Sequence, residues 1–208
     1  ASIPAQAFVI LHRGWASLGK GNLPEAEADA RTALDLLTTY DIRLGTRYAL
    51  ALLVQSLIEE GEVEEADREL SQSGFDDDIP PGMANNALLE ARALLRLAQG
   101  RTREGLDDFV SFGRHDELWG GANPLASRWR SQAALALHAL GEGDPASAMA
   151  REDLGRARTW GAASGLGVAL RAVALVEGGE ASLDRLREAV DAGGLMSYGT
   201  SVLAMYRR

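Results

Sequence analysis

The chain has 208 residues, 46% of them hydrophobic and 25% charged, so it can bury a sizeable core and is not composed like a disordered segment. Its formal charge of −9 opposes a phosphate backbone, and no basic stripe interrupts the acidic balance, which argues against direct nucleic-acid contact. The absence of cysteine excludes disulfide frameworks, thiol nucleophiles and Cys-ligated zinc.

Ala and Leu dominate, against five Ile and seven Thr, a balance that favours helix because β-branched side chains lose rotamer freedom in a helical turn. The expected class is all-α. The longest apolar run, residues 48–54, is too short to cross a bilayer, and no stretch reads as a signal peptide. The expectation is a cytoplasmic chain without a membrane partner. It opens Ala-Ser-Ile-Pro instead of Met, which fits a fragment of a longer protein.

In chain order, periodicity and punctuation predict helices over 4–19 and 24–39, 45–60 and 63–72, 84–99 and 102–112, 125–141 and 145–159, then 165–177 and 181–192. Residues 193–208 lose the pattern and are expected to be a partial repeat, a cap or a frayed end. Between the paired helices one phrase recurs: a Gly, a few mostly polar residues, then a small residue five positions on. Its instances are Gly21 to Ala26, Gly61 to Ala66, Gly100 to Gly105 and Gly143 to Ala148, with a degenerate copy from Gly178-Gly179. First glycines lie 40, 39, 43 and 35 residues apart, as suits stacked helix pairs with variable loops. Gly supplies the left-handed conformation that ends one helix, and the small residue lets the next approach. Pro24 and Pro145 sit where a helix can begin, since first-turn N–H groups need no intrahelical partner. The Asp-, Gly- and Pro-rich stretches 73–82 and 113–124 read as surface connections. The predicted architecture is a tetratricopeptide-like solenoid of about five antiparallel helix pairs. It forms a single domain over 1–208, with repeats near 4–39, 45–72, 84–112, 125–159 and 165–192.

Three passages carry a family resemblance: residues 21–31 (Gly-Asn-Leu-Pro-Glu-Ala-Glu-Ala-Asp-Ala-Arg), Asn123-Pro124 followed by Trp129-Arg130-Ser131, and the run from Gly165 to Gly179. Together with residues 183–190 they resemble the helical-repeat region of large ATP-binding LuxR-type transcription regulators of actinobacteria, over roughly residues 5–192. The resemblance implies a parent with an N-terminal nucleotide-binding module and a C-terminal helix-turn-helix domain, this chain being the middle. No Gly-x-x-x-x-Gly-Lys-[Ser/Thr] loop occurs here, so no ATP site carries over onto any residue.

Catalytic and metal chemistry find little support. His12, His115 and His138 form no i, i+4 pair. His115-Asp116, expected in a polar loop, evokes a hydrolase dipeptide without its further ligands. Asp76-Asp77-Asp78 lacks the calcium-loop pattern and reads as a solvated turn. The glycines 161, 165 and 167 could meet an anion at a helix start, but no strand precedes them, and a helix-pair turn is the simpler reading. No catalytic residue, metal ligand or cofactor is expected.

A solenoid's groove is lined by the first helix of each pair. That nominates Phe8, Leu11, His12, Trp15, Tyr48, Gln55 and Glu90, with Arg128, Trp129 and Arg130 added because Arg and Trp favour binding hot spots. Phe8, Leu11 and Trp15 also have the spacing of a core stripe, and Trp129 could equally seal a loop against a helix. The expected partner is a protein, a peptide or a small inducer, with a homodimer through an exposed end as a further expectation. A stand-alone scaffold and a helical-repeat hydrolase using His115 and Asp116 are the alternatives.

Overall fold

The computed structural model describes residues 3–75, 79–118, 120 and 128–192. Among these, ten helices follow in order: α1 (Ile3–Lys20), α2 (Leu23–Thr39), α3 (Arg43–Glu60), α4 (Val63–Gln72), α5 (Met83–Ala98), α6 (Thr102–Leu118), α7 (Trp129–Ala139), α8 (Gly143–Trp160), α9 (Ala163–Glu177) and α10 (Glu180–Asp191). No strand occurs among the described residues, so the protein is all-α.

The connecting turns explain why the glycines are spaced as they are. Gly21, at φ 80°, donates its N–H to Leu18 O at 3.0 Å, and Asn22 donates to Ser17 O at 2.9 Å. This pair of bonds is a Schellman closure, which satisfies the last carbonyls of α1. The same Asn22 then accepts at its carbonyl from Ala26 N–H at 3.0 Å, opening α2. One residue therefore closes one helix and starts the next. Gly61 and Glu62 repeat the device between α3 and α4, with Glu62 N–H to Leu57 O at 2.8 Å and Ala66 N–H to Glu62 O at 3.0 Å. Two-residue turns of this kind force the joined, packed helices to run antiparallel. The small residue sits one turn into the second helix, where Ala26 and Ala66 are completely buried.

The fourth turn corrects the sequence register. The left-handed residue is Gly141, at φ 80°, and Gly143 is the first residue of α8. Glu142 closes α7 through Leu137 O at 2.9 Å and opens α8 by accepting from Ala146 N–H at 3.1 Å. Ala146, not Ala148, is the buried small residue; Ala148 is exposed. With Gly141 in place, the cap-to-small spacing of five holds at all four turns. Pro145 is then the third residue of α8, where its missing N–H still costs nothing.

A second correction concerns α6, which continues to Leu118 instead of stopping near 112. Gly113, expected to begin the surface connection 113–124, lies buried inside the helix beside Trp129. His115 and Asp116 consequently lie on a helix and not in a polar loop. The expected helix over 125–141 is seen as Trp129–Ala139, and 125–127 lie outside the described residues, as do Asp76, Asp77, Asp78 and 193–208.

The described residues group into two compact units, one ending at Gly100 and the other beginning at Arg101. In the first, α3 packs on α1, α2, α4 and α5 and is the most enclosed element, with an unbroken buried run from Ala49 to Ile58. Leu52, Leu53, Val54 and Leu57 form its core with Leu18, Leu37, Leu88 and Leu89. In the second, α7 plays the same part among α6, α8 and α9, and is buried throughout from Trp129 to Leu137. Alanines at 133, 134, 146, 150, 169 and 172 are fully buried there, so the helices meet at short range.

Candidate functional site

In the first unit the nominated groove residues fall into different environments. Leu11 is buried in the core, while Phe8 and Trp15 are half-buried. Phe8 packs over Gly45 of α3, where a Cβ would lie 3.2 Å from its Cζ. His12 is exposed, and its Nδ1 lies 2.7 Å from the Phe8 carbonyl oxygen, one turn back on the same helix. Tyr48 and Glu90 are half-buried on α3 and α5. Burial raises the Tyr48 hydroxyl above its ordinary pKa. Gln55 is only 2% exposed, and among the described residues neither its amide oxygen nor its nitrogen has a hydrogen-bond partner. An unpaired buried amide of this kind is costly, and it marks the centre of α3 as a place where a polar group is retained against packing preference.

In the second unit Arg128, Trp129 and Arg130 open α7. Trp129 is buried with its indole against Gly113, and its Nε1 has no acceptor among the described residues. Arg130, 6% exposed, places its guanidinium 4.3 Å from the Trp129 ring centroid. Its Nη2 donates to Glu117 of α6 at 3.1 Å, and its Nε lies 3.5 Å from Glu152 of α8. The next residue, Ser131, donates to Asp153 Oδ2 at 2.5 Å. Burial raises the Asp153 carboxyl above the usual range, against the Ser131 hydrogen bond and the nearby Arg130 and Arg156 charges, which lower it. Trp129 and Arg130 thus tie three helices together, and Arg128 is half-buried beside them.

The turn between α2 and α3 builds a site that the sequence reading did not single out. It is a Schellman closure without glycine: Asp41, at φ 52°, donates to Thr38 O at 3.1 Å, and Ile42 donates to Leu37 O at 2.8 Å. Beside it lies a recess of about 240 Å³ lined by Thr38, Asp41, Arg43, Thr46, Arg47 and Phe75. Phe75 is held by two arginines: the Arg47 guanidinium carbon stands 4.9 Å from its ring centroid, and Arg92 of α5 donates to its carbonyl at 3.3 Å. Arg43 pairs loosely with Asp41 at 3.6 Å. Arg47 has its Nε buried without an acceptor and forms no ion pair among the described residues. The only signal in the sequence was a pair of arginines one helical turn apart, a spacing too common to nominate a site.

Elsewhere the chemistry stays dispersed. His115 has a buried Nδ1 without a partner among the described residues, and burial lowers its pKa. Adjacent residues on a helix do not face each other, so His115 and Asp116 do not converge as a dipeptide site. No group of three His, Asp or Glu that could hold a metal ion occurs among the described residues. Gly161 is the left-handed cap of α8, at φ 78°, and Gly165 and Gly167 are buried on α9, which is the geometry of a helix-pair turn. No described helix is long and apolar enough to cross a membrane.

No family model matches the chain, and no curated protein matches it. Among solved structures, one described as MamA MSR-1 C2 is similar at 17% identity and a TM-score of 0.49, covering 90% of this chain and 97% of that one.

Proposed function

We propose that this chain is a non-catalytic sensing or protein-interaction segment of a transcription regulator, its tandem helix pairs forming one array over 1–208. The observation that carries this reading is the repeated turn, in which Asn22, Glu62 and Glu142 each close one helix and open the next with a small residue buried one turn on. Repetition of one helix pair is the construction that yields extended binding surfaces, because each pair leaves a face for its neighbour or for a partner. The half-buried side chains of Phe8, Tyr48 and Glu90, on the first helices, are the residues offered to a protein, a peptide or a small inducer. No cofactor is assigned to the segment, and cytoplasmic residence and dimerisation through an end belong to the same reading.

The regulator context rests on the sequence resemblance, and the surrounding open reading frame tests it. A phosphate loop upstream with a helix-turn-helix downstream supports it, and nearby start and stop codons leave a stand-alone scaffold instead. The interaction role is tested in the intact gene with Tyr48→Ala and Glu90→Ala. Altered induction with unchanged protein level supports partner binding, whereas unaltered induction after deletion of the whole segment removes the role.

A further inference from the structure

We propose that the recess at the α2–α3 turn is a binding site for a small organic carboxylate, with the acid group on Arg47 and Arg43 and a compact apolar body against Phe75. The argument is local to the first unit and holds whether or not the chain serves a transcription regulator.

A cation that is half-buried without a carboxylate partner is costly, because its charge has lost water without gaining an opposite charge; exposed cations such as Lys20, Arg114 and Arg158 carry no such cost. Arg13 has Asp29 at 2.5 Å, Arg31 has three glutamates within 2.9 Å, and Arg130 has Glu117 at 3.1 Å. Arg47 has none among the described residues, although its Nε is fully removed from solvent. The Phe75 ring meets the guanidinium at 4.9 Å from its centroid without supplying an acceptor to the buried Nε–H. A planar carboxylate matches that donor set in a way a point anion does not.

The rest of the wall suits a molecule with an apolar part. The Phe75 ring, the methyl groups of Thr38 and Thr46 and the aliphatic stems of the two arginines supply its apolar surface. Thr46 already donates its hydroxyl to Ile42 O at 3.1 Å, so the charge-bearing donors are the arginines. Asp41 is the opposing feature: its carboxylate sits 3.6 Å from Arg43 at the rim and competes with an incoming acid. At about 240 Å³ the recess is below the usual range for drug-sized ligands and suits an acid of about ten non-hydrogen atoms.

Benzoate is the probe, titrated into the full chain at low ionic strength and followed by NMR shifts of Thr46 and Phe75 and by calorimetry. The expected result is saturable binding in the millimolar range or tighter, weakened about tenfold by Arg47→Met, which keeps the apolar stem and removes the charge. Arg43→Gln weakens it a few-fold; that side chain is 85% exposed, so this variant keeps the test sound even if Arg47→Met unfolds. Asp41→Asn strengthens it by removing the competing carboxylate. Benzyl alcohol binding as well as benzoate would show an apolar hollow only, and inorganic phosphate binding as well would show a site that reads charge alone; either overturns the proposal. So does benzoate binding gained only in the D76N/D77N/D78N variant, which would mean that the chain's own acids following Phe75 occupy the arginines.

Discussion

The indole of Trp129 occupies the space that any side chain at position 113 would need. A Cβ placed on Gly113 would lie 2.5 Å from Trp129 Cζ2 and 2.6 Å from two further ring atoms. The glycine is therefore retained in the middle of α6 despite its cost to the helix, because the ring is a rigid neighbour that has no room to withdraw. Gly113→Ala is expected to lower stability by about 1–3 kcal/mol even though alanine is the better helix former. Urea denaturation of Gly113→Ala, Trp129→Leu and the double variant checks it. The two single losses should fail to add, since the smaller Leu makes room for the methyl group. Additive losses would show that the two residues are not in contact.

Asp41 holds a left-handed conformation that other turns, among them those at Gly21, Gly61 and Gly141, give to glycine. At Gly21, Gly61 and Gly141 the φ values are 80°, 88° and 80°, and at Asp41 it is 52°. Relief of the Cβ strain makes Asp41→Gly stabilising by about 1 kcal/mol, and Gly61→Ala destabilising by a similar amount. A higher urea midpoint for the first and a lower one for the second is the expected pair of outcomes. A drop in both would place the strain elsewhere.

Asp153 makes stability depend on pH in the direction opposite to a salt-bridged carboxylate. Its pKa is raised in the folded state, chiefly by burial, so the folded chain holds its proton longer than the unfolded chain does. Below the ordinary carboxyl range both states are protonated and nothing is lost. As pH rises through the unfolded value the unfolded chain ionises first, and stability falls until the buried group ionises as well. Asp153→Asn removes this loss, and its melting temperature should match wild type in acid and exceed it at neutral pH by the equivalent of about 1 kcal/mol. A melting-temperature difference that stays constant across the range would show that the carboxyl is not the cause.

Arg31 joins α2 to α4. Its Nε meets Glu27 at 2.9 Å on its own helix, and its Nη1 and Nη2 meet Glu69 and Glu65 at 2.8 and 2.6 Å. Glu60, whose carboxyl is raised by burial and by Glu27, stands in the same acidic surround. The network is part-exposed, so Arg31→Leu is expected to cost only about 1 kcal/mol at low salt. The cost should shrink in about 1 M salt, where the screening length falls to about 3 Å. Thermal melts across the salt series test this. A loss unaffected by salt would assign the role of Arg31 to packing by its stem.

The helix-pair plan was legible because its signals are local. A left-handed glycine followed five residues later by a buried Ala is readable from spacing alone, and eight of the ten helices lie where periodicity put them to within about two residues. The exceptions are α6, which runs on to Leu118, and α7, of whose expected span 125–127 lie outside the described residues. Two other readings turn on glycines with competing uses. In Gly141-Glu142-Gly143 either glycine could cap, and only the dihedral angle assigns the cap to Gly141. Gly113 reads as the start of a surface connection, but the reason for the glycine lies sixteen residues away, in Trp129. The turn at Asp41 left no glycine to read at all.

The nominated binding residues were legible only as helix positions. Leu11 and Gln55 had the register of the first helices, yet whether such a position faces a groove or a core depends on which helices pack on it, and α3 is enclosed by four. The sequence nominates Arg130 because Arg favours binding hot spots, yet it is only 6% exposed. Glu117 and Glu152, from helices before and after it, make its burial tolerable.

By itself the sequence determined the class, the number and bounds of most helices, and the turns that pair them, since caps and small residues act over a single helical turn. The tertiary structure alone decided which polar groups are buried together and where a recess forms. Asp153 meets Ser131 across 22 residues, and Phe75 meets Arg47 across 28, because burial and electrostatics depend on distance in space and not along the chain.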